Sequence, residues 1–208
     1  MKLSAVFFDR DGTVIFDRHY LKDPAGVTLI PGVADALRLL ADHGIDAFLV
    51  SNQSGIGRGY FTVDDVVACQ SRLNELLQLQ GTGFKDARFC PHAPEDRCAC
   101  RKPSIGMWKS LSEKYALEPA HCAMIGDKEE DLAFGRNSGM ACSVLVLTGK
   151  GMKTAAQLGL KVEALSSKLT PFDQVCTANE DPVSGKYYVA HNALDAVEGL
   201  LAMHGSTL

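Results

Sequence analysis

Apolar residues fall along this chain in two rhythms. Short unbroken runs at 3–8, 45–50, 122–125 and 143–147 have the length and the Val, Ile and Phe content of buried strands. Between and after them, stretches at 33–43, 62–79, 105–115, 131–138 and 193–203 show the spaced apolar positions of amphipathic helices. Thr62, with Asp65 three residues on and Val66-Val67 following, reads as a helix start, and Gly139 after Asn137-Ser138 as a helix stop. A further short strand is predicted at 84–89 and a short edge strand at 187–189, after a turn cluster at 181–185. Strands alternating with helices predict parallel βαβ units and an α/β fold. No repeat, heptad or low-complexity segment interrupts the pattern.

Composition narrows the class. The 208 residues, 46% hydrophobic and 22% charged, suit one α/β domain spanning 1–208. A net charge of −4 without Lys or Arg runs leaves no nucleic-acid footprint. The first apolar run is too short for a signal core or a membrane span, which leads us to expect a cytoplasmic protein without a membrane partner. Seven cysteines, an odd number, point to thiols and metal rather than disulfides.

The first predicted strand runs into Asp9-Arg10-Asp11-Gly12-Thr13. The carboxyl end of a strand is where open α/β sheets bind ligands, and residues i and i+2 of an extended chain point the same way. Asp9 and Asp11 are therefore expected to converge on one site, which calls for a cation or a shared proton between them. A nucleophilic carboxylate beside Mg²⁺ is what aspartyl-phosphate chemistry requires. A second cluster, Cys90-x-His92 and Cys98-x-Cys100, sets three thiols and an imidazole within eleven residues of a loop at about 89–103. This is a closed Cys₃His set for a structural, tetrahedral Zn²⁺. Soft thiolates and hard carboxylates would sort the two metals between the sites. Cys69, Cys122, Cys142 and Cys176 read as small core residues, and His19, His43, His121, His191 and His204 lack ligand spacing.

The Asp9-x-Asp11-Gly12-Thr13 pattern resembles the first motif of the haloacid dehalogenase (HAD) superfamily of phosphohydrolases, and later segments match its other motifs in order. Ser51-Asn52 follows the second apolar run, Lys102 lies in Arg101-Lys102-Pro103, and Asp127 follows the third run within Gly126-Asp127-Lys128. The resemblance implies a Rossmann-like parallel sheet with helices on both faces. It makes Asp9 the nucleophile and Asp11 the acid–base group, and Ser51 and Lys102 the groups that bind the transferring phosphoryl oxygens. Asp9, the Asp11 carbonyl and Asp127 would hold Mg²⁺. Neither 11–33 nor the stretch after Asn52 has room for a folded lid, so the chain looks like a capless member. About 172–186 looks like an insertion, best read as a surface loop. Asp131 stands either as a partner of a metal-bound water or as an acid favoured by a helix N-terminus.

A zinc loop joined to Arg-Lys-Pro resembles two capless groups, the D-glycero-D-manno-heptose 1,7-bisphosphate phosphatases and the histidinol-phosphate phosphatases. Asn52-Gln53-Ser54-Gly55-Ile56-Gly57-Arg58-Gly59, Gly126-Asp127-Lys128 and Thr148-Gly149-Lys150 favour the first. The five-residue spacer between His92 and Cys98 fits the second. By the first resemblance, Asp17, Arg18, His19 and Tyr20 form one substrate loop and Ser51, Asn52, Gln53 and Ser54 another, while Arg101 reads the retained phosphate or hydroxyls and Lys128 sits near metal and substrate. It implies removal of the C7 phosphate in heptose precursor synthesis for lipopolysaccharide, by a monomer whose partner is a small sugar phosphate. Arg18, Arg58 and Lys150 read equally well as solvated surface charges. A non-catalytic zinc-stabilised binding module is the alternative outside enzymes, disfavoured because Asp9 and Asp127 are both present.

Overall fold

The computed structural model describes residues 2–165, 167–174 and 187–205. Seven strands form one sheet: β1 (Ala5–Phe8), β2 (Asp46–Asn52), β3 (Asp86–Cys90), β4 (Cys122–Gly126), β5 (Cys142–Val146), β6 (Thr170–Pro171) and β7 (Tyr187–Ala190). Their order is β3-β2-β1-β4-β5-β7-β6, and every neighbouring pair runs parallel except β6 and β7. Strand order changes direction between β1 and β4, so a crevice opens beyond their carboxyl ends.

Among the described residues seven α-helices accompany the sheet: α1 (Val33–Asp42), α2 (Ser54–Gly57), α3 (Val63–Gln78), α4 (Gly106–Tyr115), α5 (Glu129–Asn137), α6 (Gly151–Gln157) and α7 (Ala193–Gly205). Alternation along the strands divides the core. Val6, Phe8, Leu49, Ile125 and Val144 pack with Leu37, Leu73 and Val197 of α1, α3 and α7 on one face. Ala5, Phe7, Phe48 and Met124 pack with Trp108 of α4 and Phe134 of α5 on the other. Both faces are thus covered, which is why the strands read as continuous apolar runs. The predicted start of α3 is present: Thr62 Oγ1 accepts from Asp65 N at 3.2 Å, and Asp65 Oδ2 accepts from Thr62 N at 2.7 Å.

The structure departs from expectation at short elements. Residues 187–189 do not form an edge strand. β7 lies inside the sheet, parallel to β5, because two-residue β6 pairs with its outer side. A two-residue strand containing Pro171 has no period to read. α2 and α6 were not foreseen either, being four and seven residues long. Of the supposed insertion at 172–186, Phe172–Gln174 forms a 3₁₀ turn, and the remainder, with Cys176, lies outside the described residues. Among the described residues only one 3₁₀ turn, Pro24–Gly26, separates β1 from α1, and α2 follows β2 directly, so neither position carries a folded cap. No described helix is long and apolar enough to cross a membrane.

Candidate active site

Asp9 is the first residue past β1 and Asp127 the first past β4, which sets both at the crevice. Asp131, in the first turn of α5, joins them. One oxygen from each of the three carboxylates lies within 4.8 Å of the others, and all three side chains are buried. Glycines make room for this crowding. A Cβ at Gly12 or Gly149 would sit 2.2 or 2.3 Å from Asp127 Oδ2, and one at Gly126 would sit 2.4 Å from Asp131 Oδ2. Gly12 and Gly149 also have φ of +95° and +56°, a region that favours glycine. Lys150 N donates to Asp127 Oδ2 at 2.8 Å, and Thr148 Oγ1 donates to the Gly12 carbonyl at 2.6 Å.

Two lysines answer the three acids. Lys102, fully buried, places Nζ 2.6 Å from Asp9 Oδ1, 2.7 Å from Asp131 Oδ1 and 2.8 Å from the Val50 carbonyl. Lys128 Nζ lies 3.2 Å from Asp9 Oδ2, 3.0 Å from Asp127 Oδ1 and 3.3 Å from the Asp11 carbonyl. Burial opposes ionisation of Asp9, but Lys102 and Lys128 outweigh it and hold this carboxyl well below the usual carboxylate range. Asp127 and Asp131 go the other way. Burial pushes Asp127 up to about 7, with the Asp9 charge adding to it. Burial likewise pushes Asp131 up to about 6 against the pull of Lys102.

The set fits a divalent cation. Asp9 Oδ2, Asp127 Oδ1 and the Asp11 carbonyl are the oxygens the resemblance assigned to Mg²⁺, and the Lys128 ammonium bridges all three. Asp127 Oδ1 is buried and accepts no well-aligned hydrogen bond. An all-oxygen donor set with two carboxylates suits a hard cation such as Mg²⁺. Asp131 meets the second of its two readings: its Oδ2 accepts from Lys128 N at 3.1 Å at the start of α5, while Oδ1 pairs with Lys102.

Several expected site residues take other partners. The Asp11 carboxylate lines the same cavity as Asp9, as expected, but stands outside the Asp9, Asp127 and Asp131 cluster. It leaves the strand direction at the turn and accepts from Gln53 Nε2 at 2.8 Å and from Arg10 Nε and Nη2 at 3.1 and 3.2 Å. Gln53 also donates to Ser51 Oγ at 2.6 Å. Asn52, expected to touch substrate, spends its amide on the Lys102 backbone, donating to its carbonyl at 3.1 Å and accepting from its N–H at 2.9 Å. It thereby fixes the segment that carries Lys102. Asp17, His19 and Tyr20 line the cavity, but Arg18 is exposed and does not. His19 N donates to Asp17 Oδ1 at 3.0 Å, a local turn that leaves Arg18 at its apex.

The cavity holds about 450 Å³, and Ser51, Ser54, Arg101, Lys102, Lys128 and Lys150 contribute to its wall. Arg101 Nη1 is buried with no hydrogen-bond partner. Phe61, Lys153 and Gln157 also line it without having been singled out. So does Arg10, a buried charge whose only sequence signal was an arginine between two aspartates.

The loop between β3 and α4 gathers the second cluster. Sulfur atoms of Cys90, Cys98 and Cys100 lie 3.1–3.5 Å apart, and His92 Nδ1 lies 3.2 Å from Cys100 Sγ. Four soft donors on one point fit Zn²⁺. Cys69, Cys122 and Cys142 are buried in the core as expected. His43 Nδ1 sits 2.8 Å from the Leu39 carbonyl at the end of α1, away from both clusters, consistent with its lack of ligand spacing.

Residues 99–169 match a family model described as HAD-hydrolase-like. The curated D-glycero-β-D-manno-heptose-1,7-bisphosphate 7-phosphatase of Haemophilus ducreyi is 38% identical over 159 residues, 73% of this chain and 87% of the relative. That of Bordetella bronchiseptica is 38% identical over 162 residues, 77% of this chain and 88% of the relative. The crystal structure of D,D-heptose 1,7-bisphosphate phosphatase from B. bronchiseptica, complexed with magnesium and phosphate, superposes with a TM-score of 0.79 at 30% identity. That alignment covers 97% of this chain and 99% of the other. The chain is a phosphoric monoester hydrolase of the HAD superfamily and belongs to the D-glycero-β-D-manno-heptose-1,7-bisphosphate 7-phosphatase family.

Proposed function

We propose that this chain, acting as a single-domain cytoplasmic monomer, removes the C7 phosphate of D-glycero-D-manno-heptose 1,7-bisphosphate through an aspartyl-phosphate on Asp9. The product would feed nucleotide-activated heptose for lipopolysaccharide core. The observation that carries the chemistry is the buried Asp9 carboxyl group, held between the Lys102 and Lys128 ammonium groups in the cavity wall. The observation that favours a bisphosphate is Arg101, a cavity-lining cation whose buried Nη1 has no hydrogen-bond partner among the described residues. The five-residue spacer of the zinc loop is the feature favouring a histidinol-phosphate phosphatase instead.

Asp9, the Asp11 carbonyl and Asp127 would hold Mg²⁺, which when bound offsets repulsion between the nucleophile and the phosphate. Asp9 attacks phosphorus as the bond to the sugar oxygen breaks, and Asp11 gives its proton to that oxygen. Asp11 then takes a proton from water as the new P–O bond forms and Asp9 is released. Ser51 and Lys102 bind the transferring oxygens. Cys90, His92, Cys98 and Cys100 would hold Zn²⁺ and fix the loop that delivers Arg101 and Lys102. Phosphate release from heptose 1,7-bisphosphate and from histidinol phosphate, assayed side by side, tests the substrate.

Asp9→Asn should abolish turnover and leave the protein folded, because an amide cannot attack phosphorus. Losing an essential nucleophile costs many decades in rate. Appreciable phosphatase activity in the purified variant would rule out the aspartyl-phosphate.

Cation binding should depend on pH. Asp127 and Asp131 are raised from 3.8 to about 7 and about 6, so their protonated forms favour the fold and that contribution is lost as pH rises through this window. A divalent cation replaces the lost protons. Millimolar MgCl₂ should raise the melting temperature little at about pH 5 and more at about pH 8. Equal shifts at both pH values would contradict the assignment.

Elemental analysis should find about one zinc per chain, retained through mild chelation that removes Mg²⁺. Zinc-free protein with full activity and unchanged melting would remove the structural role.

Arg101 and Lys102 variants should fail differently. Arg101→Ala should raise KM for the bisphosphate on the order of tenfold and affect a monophosphate far less. Lys102→Ala should lower kcat for every substrate, because charge on the transferring group grows in the transition state. Equal losses of Arg101→Ala on both substrates would move Arg101 into the shared phosphate site.

A further inference from the structure

Arg10 is a charged residue only 2% exposed, immediately after the strand-end nucleophile. Its guanidinium makes a forked pair with Asp11, Nε to Oδ2 at 3.1 Å and Nη2 to Oδ1 at 3.2 Å. Asp11 is its ion-pair partner among the described residues. A forked guanidinium–carboxylate pair fixes the plane of the carboxylate as well as its position. Gln53 Nε2 holds Oδ2 from a second direction at 2.8 Å. Burying an arginine costs free energy unless it is paired and hydrogen-bonded, so a core arginine whose recorded ion pair is with a half-buried neighbour invites a functional reason.

The turn itself does not need this side chain. Val14 N and Ile15 N donate to the Arg10 carbonyl at 2.9 and 3.0 Å, and Gly12 N donates to the Ile15 carbonyl at 2.8 Å. These backbone bonds close the loop after β1 whatever residue stands at position 10. What the guanidinium adds is the orientation of Asp11, which it holds apart from the Asp9, Asp127 and Asp131 cluster. A carboxylate free to rotate here would find the cation that those acids attract.

We propose that Arg10 is a positioning residue, which with Gln53 keeps the Asp11 carboxyl turned toward the cavity and available to the leaving oxygen. The proposal rests on the reading of Asp11 as the acid that protonates that oxygen. In that step the P–O bond to the sugar breaks, the Asp9–phosphorus bond forms, and the proton leaves Asp11. The carboxylate that remains is the species the guanidinium fork receives. Arg10 lines the cavity, but in this role it acts on the chemistry through Asp11.

Leaving-group dependence tests this and separates it from a purely structural role. The quantity to compare is kcat/KM, which reports steps up to release of the alcohol and is insensitive to later hydrolysis of the phospho-enzyme. A sugar phosphate expels a basic alkoxide and needs a proton, whereas p-nitrophenyl phosphate expels a stable phenolate and does not. Arg10→Met should lower kcat/KM for heptose 1,7-bisphosphate by about 10- to 100-fold and for p-nitrophenyl phosphate by less than about threefold. Arg10→Lys, which keeps the charge and loses the fork, should fall between wild type and Arg10→Met on the sugar phosphate. Asp11→Asn serves as the reference and should show the same selectivity in stronger form. Selective loss in Asp11→Asn but equal loss on both substrates in both Arg10 variants would overturn the role of Arg10. If Asp11→Asn itself shows no selectivity, the acid assignment fails instead. Should Arg10→Met not fold, the comparison between Arg10→Lys and wild type decides alone.

Discussion

Three carboxylates packed within 4.8 Å of one another in a buried crevice repel, and the rest of the site is arranged around that repulsion. Buried acids so close cannot all ionise unless positive charge stands among them. Lys102 supplies it from one side and Lys128 from the other, and the outcome is asymmetric. Asp9 contacts both ammonium groups and stays ionised, while Asp127 and Asp131 are pushed up toward neutrality. The asymmetry is chemically useful, because the group that must be a nucleophile is the one kept charged. It also leaves Asp127 Oδ1 with the Lys128 charge but no well-aligned hydrogen bond, an oxygen suited to a hard divalent cation.

Holding such a cluster sets demands on parts of the chain far apart in sequence. Asp9 and Asp127 meet because β1 and β4 are neighbours at the point where strand order changes direction. Lys102 arrives from neither strand, and its delivery is the more delicate problem. Its segment is tied to β2 by the two amide bonds of Asn52 and bounded by the Cys₃His cluster just before it. Gly57 N donates to the Pro91 carbonyl at 2.8 Å, and Gly106 N to the Ala99 carbonyl at 2.9 Å, so the cysteine loop is also docked on α2 and α4. Four independent constraints converge on one lysine.

Long elements and strand-end chemistry were legible in the sequence because their signals are local. The apolar runs gave β1, β2, β4 and β5, and the residues after three of them gave Asp9, Asp11, Ser51, Asn52 and Asp127. The cysteine cluster was legible from spacing alone. What escaped is what depends on a partner distant in sequence. Asn52 lines the cavity as expected, but nothing in its sequence neighbourhood reveals that its amide also ties down the Lys102 backbone. Asp11 shares the cavity with Asp9 as expected, but its pairing with Arg10 and Gln53 was not legible, because the strand ends at Phe8 and the turn sets the direction of its side chain. Gly149 was seen as part of a resemblance, whereas its physical reason is the Asp127 oxygen that any Cβ would strike.

The open crevice imposes a further condition. Among the described residues no folded cap follows β1 or β2 to close over the substrate, an arrangement that suits a hydrolase whose second step consumes water. It also removes the device by which capped enzymes orient their substrate and exclude competing geometries. Orientation must then come from side chains already held in place in the free protein. The buried Arg10 behind Asp11, the Asn52 amide on Lys102 and the glycine-lined seat of Asp127 are all of this kind. Each restrains a group that would carry out chemistry while leaving the cavity mouth to Asp17, Tyr20, Arg101 and Lys150. Preorganisation of the carboxylate cluster separates the groups that would set rate from the loop residues that would set selectivity.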